Sequence, residues 1–161
     1  MKQDKLASWL KFIIIGVGLC GLIVYALIVP MFGQAQVLEA PEFAYCYMPW
    51  LIFISLTAIP VYIALFFCWK VASNIGNDRS FSMDNARLLK WISWLAAADS
   101  AYFFIGNIVL LFMNMSHPGV TLMSLIVVFG GVAITIASAA LSHLIVKAAD
   151  LHDHSPKARH L

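Results

Sequence analysis

Residues 91–112 read WISWLAAADSAYFFIGNIVLLF, an apolar run broken once by a charge, at Asp99. Whether this run crosses a membrane decides the topology of the whole chain. An aspartate at the centre of a membrane helix costs about 2.5 to 3.5 kcal/mol, while each Leu, Ile or Phe returns about 0.3 to 0.6 kcal/mol. Ile92, Leu95, Phe103, Phe104, Ile105, Ile108, Leu110, Leu111 and Phe112 together offset one aspartate. The run is read as a span.

Three further runs surround it. Residues 12–32 are uncharged, about 21 residues, enough to cross roughly 30 Å of hydrocarbon at about 1.5 Å per residue. Residues 49–69 repeat the pattern with Pro60 inside, which a membrane helix tolerates where neighbours satisfy the freed carbonyl. Residues 120–146 form the cleanest run and are rich in small side chains. Composition agrees: of 161 residues 62% are hydrophobic and 11% charged, with mean hydropathy +0.88, where a soluble domain carries about 25% charged residues. So much apolar surface cannot hide inside a water-facing particle, and the solvent is lipid. The predicted fold is an all-α polytopic membrane protein, a bundle of four transmembrane helices in one integral membrane domain over 1–161.

The charges set the orientation. With the four spans in place, Lys2, Lys5, Lys11, Lys70, Arg79, Arg87, Lys90, Lys147, Lys157 and Arg159 all fall on one side, which the positive-inside rule makes the cytoplasm. Rejecting the 91–112 span would carry Lys147, Lys157 and Arg159 outside, so the rule independently favours keeping it. The expected location is the cell membrane, multi-pass, with both termini cytoplasmic, an inner loop over 70–90 and a tail over 147–161. Trp9, Trp69, Trp91 and Trp94 mark the inner interface, and Tyr45, Tyr47 and Trp50 the outer one. A rival reading takes Lys2 to Lys11 as the start of a signal peptide cleaved near Gly33 and Ala35; the apolar run is longer than such peptides usually carry.

Net charge is +2 with scattered cations, which argues against direct nucleic-acid binding. Cys20, Cys46 and Cys68 lie far apart without metal-ligand spacing, which indicates neither a disulfide framework nor a zinc site, although Cys46 could pair with another chain. The outer connections, 33–48 and 113–119, are too short to house a domain. The inner one says more. Asn74-Ile75-Gly76-Asn77-Asp78 reads as a helix stop, and Ser82 then stands where an N-cap belongs. Phe81 precedes the cap as a candidate hydrophobic staple, Asp84 suits the positive helix start, and Asp84 with Arg87 makes an i,i+3 pair. This predicts an interfacial elbow at Ser82 to Lys90 leading into the third span.

The stretch from Asn77 to Lys90, with Phe81-Ser82-Met83-Asp84-Asn85 at its centre, resembles the Phe-Ser-x-Glu-Asn signature of a bacterial family of small four-span membrane proteins of unknown function, the DUF2975 family. The likeness covers most of Val71 to Leu151, with Lys147-Ala148-Ala149-Asp150-Leu151 resembling the start of the family's closing helix. Arg79-Ser80 stands where the family has a small residue and proline, Asp84 where it has glutamate, and His152 to Leu161 lacks its acidic, hydrophobic ending. Members are often encoded beside a small helix-turn-helix regulator of the phage-repressor type. The resemblance therefore implies that such a cytoplasmic regulator is a partner.

Several residues invite chemistry. Asp99 is the one ionisable group deep in a span, and such groups are functional candidates by default. At the same depth lie Tyr62 and Ser138, so a protonated Asp99 bonded to either would clamp helices together. The sharper alternative joins Asp99 to Asn107 and His143, bridged by Ser142 or water, as a proton or cation path. The two halves of the chain share no internal motif, so no inverted repeat supports a transporter. Met113-x-Met115-x-His117 offers soft ligands of the kind Cu(I) takes, although methionine commonly just fills helix ends. His152, His154 and His160 in the tail are a second weak metal candidate. Gly131, Thr135, Ser138 and Ser142 stripe the fourth span with small residues, for packing or for a homo-oligomer seam, and Gly16 with Cys20 and Gly18 beside Gly21 do the same in the first. No metalloprotease, serine-hydrolase or phosphate-loop motif is present, so catalysis is not expected and no cofactor is implied. The leading expectation is a small regulatory or sensory membrane protein that docks a cytoplasmic partner through Phe81, Asp84 and Arg87. The alternative is a minor transporter or channel subunit using Asp99.

Overall fold

A computed structural model describes residues 3–153. The first helical rod runs from Gln3 to Glu39 as α1 (Gln3–Ile23), a π turn (Val24–Ile28) and α2 (Val29–Glu39). Pro30 explains the wide turn: it has no N–H to donate and its ring crowds the preceding carbonyls, and a π turn opens the ladder just before it. After Ala40 and a short 3-10 turn (Pro41–Phe43) comes α3 (Ala44–Gly76), which keeps Pro49 and Pro60 inside. Two more helices follow, α4 (Met83–Phe112) and α5 (Pro118–Asp153). All four rods, of 37, 36, 30 and 34 residues, are long and apolar enough to cross a membrane, and each exceeds the roughly 20 residues a span needs. The outer connection expected over 33–48 is accordingly helical almost throughout, because the first two rods project beyond the apolar core before they turn.

The two tight turns are built alike. At the end of α3, Asp78 is left-handed at φ 57°, its N–H donates to the Ile75 carbonyl and the Arg79 N–H to that of Asn74. At the end of α4, Asn114 has φ 55°, its N–H donates to Leu111 O and that of Met115 to Leu110 O. Both are Schellman closures, which satisfy the last carbonyls of a helix with a left-handed residue just past its end. Asp and Asn tolerate that conformation better than other side-chain-bearing residues. Gly76, the apparent stop residue, is still helical and lies against Ala7 of α1.

The helices pack in chain order: the first rod on α3, α3 on α4, α4 on α5, and among the described residues the first rod does not reach α5. The α4–α5 pair is the tightest. Ala86, Leu89, Ser93, Ser100, Asn107 and Leu110 are buried along one line of α4 at spacings of three, four and seven, the pattern of a left-handed helix pair. Ser93 Oγ donates to the Thr135 carbonyl (2.9 Å) and Ser142 Oγ to the Ala86 carbonyl (2.7 Å), one clamp from each helix. A Cβ on Gly131 would run into Ser100. Gly131, Thr135 and Ser142 of the fourth span's small-residue stripe thus pack within the monomer against α4.

The first rod is held differently. Tyr62 Oη donates to the Gly18 carbonyl (2.8 Å), Tyr25 and Thr57 share a hydrogen bond (2.9 Å), and the Tyr47 ring lies on Gly33. Gly18 and Gly21 receive side chains of α3, whereas Gly16 meets nothing within 4 Å and Cys20 is exposed. The Gly16–Cys20 pair therefore faces lipid rather than a helix.

Candidate functional site

The antiparallel order brings every described Lys and Arg to one end of the molecule: Lys5 and Lys11 start α1, Lys70 closes α3, Arg79, Arg87 and Lys90 flank the next turn, and Lys147 ends the fourth span. Lys11 lies over the Trp69 ring (5.4 Å) and Lys70 over Phe66 (4.8 Å), which seats two cations among interfacial aromatics. The elbow expected before the third span is the Asn77–Ser82 connection, and Met83 to Lys90 continues straight into α4. Ser82 is the N-cap, with its Oγ accepting from the Asn85 N–H at 3.3 Å.

One residue organises this connection. Asn85 is 0% exposed; its Oδ1 accepts from Asn74 Nδ2 (2.7 Å), and its Nδ2 donates to the carbonyls of Arg79 and Ser80 (3.1 Å each). The amide thus pins the connection to both helices it joins, and Ser80 Oγ donates to Gln3 Oε1 (3.0 Å) to tie in α1. Sequence reasoning quoted Asn85 within the resemblance but gave it no role. A polar residue three past a cap and on the inward line of its helix was the available signal.

On this pinned frame the three proposed docking residues point outward. Phe81 is 70% exposed, so it is not the staple expected of it. Asp84 and Arg87 are both exposed, and among the described residues no ion pair joins them. A groove of about 580 Å³ opens beside them between α3 and α4, lined by Phe67, Lys70, Ser73, Asn74, Asp84, Arg87, Leu88 and Trp91.

The intramembrane residues are not gathered as expected. Asn85, Ile92, Asp99 and Gly106 recur every seven residues on the side of α4 that meets α3: Asn85 reaches Asn74, and the Phe53 ring covers Gly106. The same register sets Asp99 opposite Pro60, where α3 has no N–H for the Leu56 carbonyl. Asp99 Oδ1 is buried without a hydrogen-bond partner. Tyr62 is spent on Gly18, and no bond joins Ser138 to Asp99 among the described residues, so neither forms the expected clamp. Ser142 is buried on Ala86, His143 is exposed on the outside of α5, and Asn107, 1% exposed, donates to Phe103 O with its Oδ1 unpartnered. Among the described residues no hydrogen bond links Asp99, Asn107 and His143 to one another.

At the opposite end Trp50, Phe53, Tyr102 and Phe103 form an aromatic cluster with centroids 5.2 to 5.7 Å apart, and Trp50 Nε1 donates to the Met115 carbonyl (2.7 Å). Met113 is exposed, and His117 Nδ1 accepts from the Gly119 N–H (3.1 Å) as a helix cap. That nitrogen is therefore occupied, which weakens the Met113-Met115-His117 metal reading. Cys46 is buried, against its pairing with another chain. Among the described residues no three His, Cys, Asp or Glu side chains gather to hold a metal. His154 and His160 lie outside the described residues, and the His152 side chain is likewise outside them.

A multi-pass membrane protein of four antiparallel helices, with its described Lys and Arg gathered at one end, is the class these features define. The model of a family described as a protein of unknown function, DUF2975, matches residues 31–155, and the chain belongs to that family. It is also similar to an uncharacterized membrane protein of Bacillus subtilis (strain 168), YoaS, 28% identical over 144 residues that cover 88% of this chain and 89% of that protein. No solved structure matches.

Proposed function

We propose that this is a non-catalytic membrane protein of regulatory or sensory type that docks a cytoplasmic partner at its basic end. The helix-turn-helix regulator implied by the family resemblance is the candidate. The observation that carries the reading is the pairing of Phe81 with Asn85: a large apolar side chain, 70% exposed, stands on a connection fixed by a fully buried amide. Rigid presentation of an exposed aromatic beside unpaired charges is how interface anchors are built, because little entropy is lost on binding. Asp84 and Arg87 supply charges for register on the partner. In this reading the basic end faces the cytoplasm of the cell membrane, by the charge rule. Co-purification from native membranes tests it. The wild type should capture a cytoplasmic protein that Phe81→Ala and Arg87→Glu both lose, and capture untouched by these changes would defeat the proposal.

A second reading has its own observation. Asp99 Oδ1 is a buried, unpartnered carboxyl oxygen inside a span, level with Pro60 of the continuous helix α3, and such groups mark proton or cation sites. Liposome flux measurements decide it: a proton or cation current that Asp99→Asn abolishes supports a transport role, and absence of current in the wild type removes it.

A further inference from the structure

The groove between the basic ends of α3 and α4 has a particular lining. Its floor is aromatic: Phe67, two residues before the second span's end at residue 69, and Trp91, at the start of the third span. Lys70 and Arg87 stand beyond the floor, four residues or roughly 6 Å from Trp91 in the case of Arg87. Among the described residues neither cation is paired with a carboxylate; Lys70 is held only over the Phe66 ring at 4.8 Å. Ser73 adds a hydroxyl and Asp84 one carboxylate, so the lining carries a net single positive charge. An apolar floor level with the end of the hydrocarbon, two unpaired cations one turn above it and a net positive charge complement an amphiphile with an anionic head. Basic pockets between membrane helices on the cytoplasmic side recognise lipid head groups in this way.

We propose that the groove holds an anionic phospholipid of the phosphatidylglycerol type. The phosphate lies between Lys70 and Arg87, the glycerol hydroxyls donate to Asp84 and meet Ser73, and the acyl chains descend over Phe67 and Trp91. The groove shares Asp84 and Arg87 with the docking surface, and two residues tell the roles apart: Phe81 does not line the groove, and Lys70 plays no part in docking.

Native mass spectrometry of the full-length protein, released from micelles containing equal phosphatidylglycerol and phosphatidylcholine, tests the assignment. The wild type should retain one phosphatidylglycerol with a preference on the order of tenfold; each cation near a headgroup is worth about fivefold. Lys70→Gln should cut the preference about fivefold and Lys70→Gln with Arg87→Gln should erase it. Lys11→Gln, at a cation over Trp69 outside the groove, and Phe81→Ala should leave it intact. Equal retention of the two lipids by the wild type, or undiminished preference in the double variant, would overturn the proposal. Displacement of the lipid by millimolar inorganic phosphate would overturn it too, by assigning the groove to a soluble anion. Loss of partner capture in Phe81→Ala with lipid retention unchanged would separate the two surfaces.

Discussion

The two halves of this molecule solve one problem in different ways. Helices α4 and α5 meet through a repeating line of small and polar residues, with Ser93 and Ser142 each donating into the other helix's backbone and Gly131 giving room to Ser100. The first rod meets α3 mainly through tyrosines laid across its glycines and backbone. In lipid no hydrophobic force drives apolar helices together, so association depends on close packing and interhelical hydrogen bonds. The half with small residues at heptad spacing gains both. The first rod gains them only where tyrosines cross its glycines and carbonyls. The contrast identifies α4–α5 as the tightest seam, and the first rod, which meets α3 alone, as the element more easily displaced.

Substitutions rank the two halves. Gly131→Leu should cost about 3 kcal/mol through overpacking against Ser100, measured as the SDS mole fraction at which tryptophan fluorescence reports unfolding in micelles. Asn85→Ala comes next at about 2 to 3 kcal/mol, since it strands the Asn74 amide and two carbonyls; the readout is the same, with added protease sensitivity at Asn77–Ser82. Ser93→Ala and Ser142→Ala should each cost about 0.6 kcal/mol and at most about 1.7, the range for interhelical bonds in membranes. Tyr62→Phe should cost no more than about 0.6 kcal/mol, and its loss should loosen only the first rod, seen as faster amide exchange in α1 with α5 unchanged. If Tyr62→Phe matched Gly131→Leu, the distinction between the halves would collapse. The smallest effect is a gain: Asn114→Gly should stabilise by a few tenths of a kcal/mol by relieving a left-handed Cβ.

The long elements were readable because hydrocarbon imposes a strict length and polarity on any chain that crosses it. Residues 91–112 could be kept as a span on charge arithmetic alone, and the helix stop before Asn77 and the Ser82 cap follow from local side-chain chemistry. What escaped was everything that depends on which face of a helix meets which neighbour. Depth along the axis put Tyr62 and Ser138 level with Asp99, yet Tyr62 turns to Gly18 and no bond links Ser138 to Asp99. Depth is a one-dimensional quantity, and rotation about each axis has to be fixed separately. The seven-residue repeat of Ala86, Ser93, Ser100 and Asn107 carried that rotation in plain view, hidden by the apolar residues around it, since in a lipid-facing helix the buried line is the small and polar one. Asn85 was overlooked for a related reason. It stands beside charged residues that attract attention, and its value lies in bonds to backbone carbonyls that appear only after the Asn77–Ser82 connection has folded.

Both the docking face and the lipid groove require that the end bearing Phe81, Lys70 and Arg87 lies in the cytoplasm, reached by a chain that crosses four times. Single cysteines introduced at Arg79 and at His117, both exposed, in a cysteine-less background, treated in intact cells with a membrane-impermeant maleimide, test this directly. The position-117 thiol should react from outside, and the position-79 thiol only after lysis. Labelling of both from outside, or of position 79 alone, would contradict it.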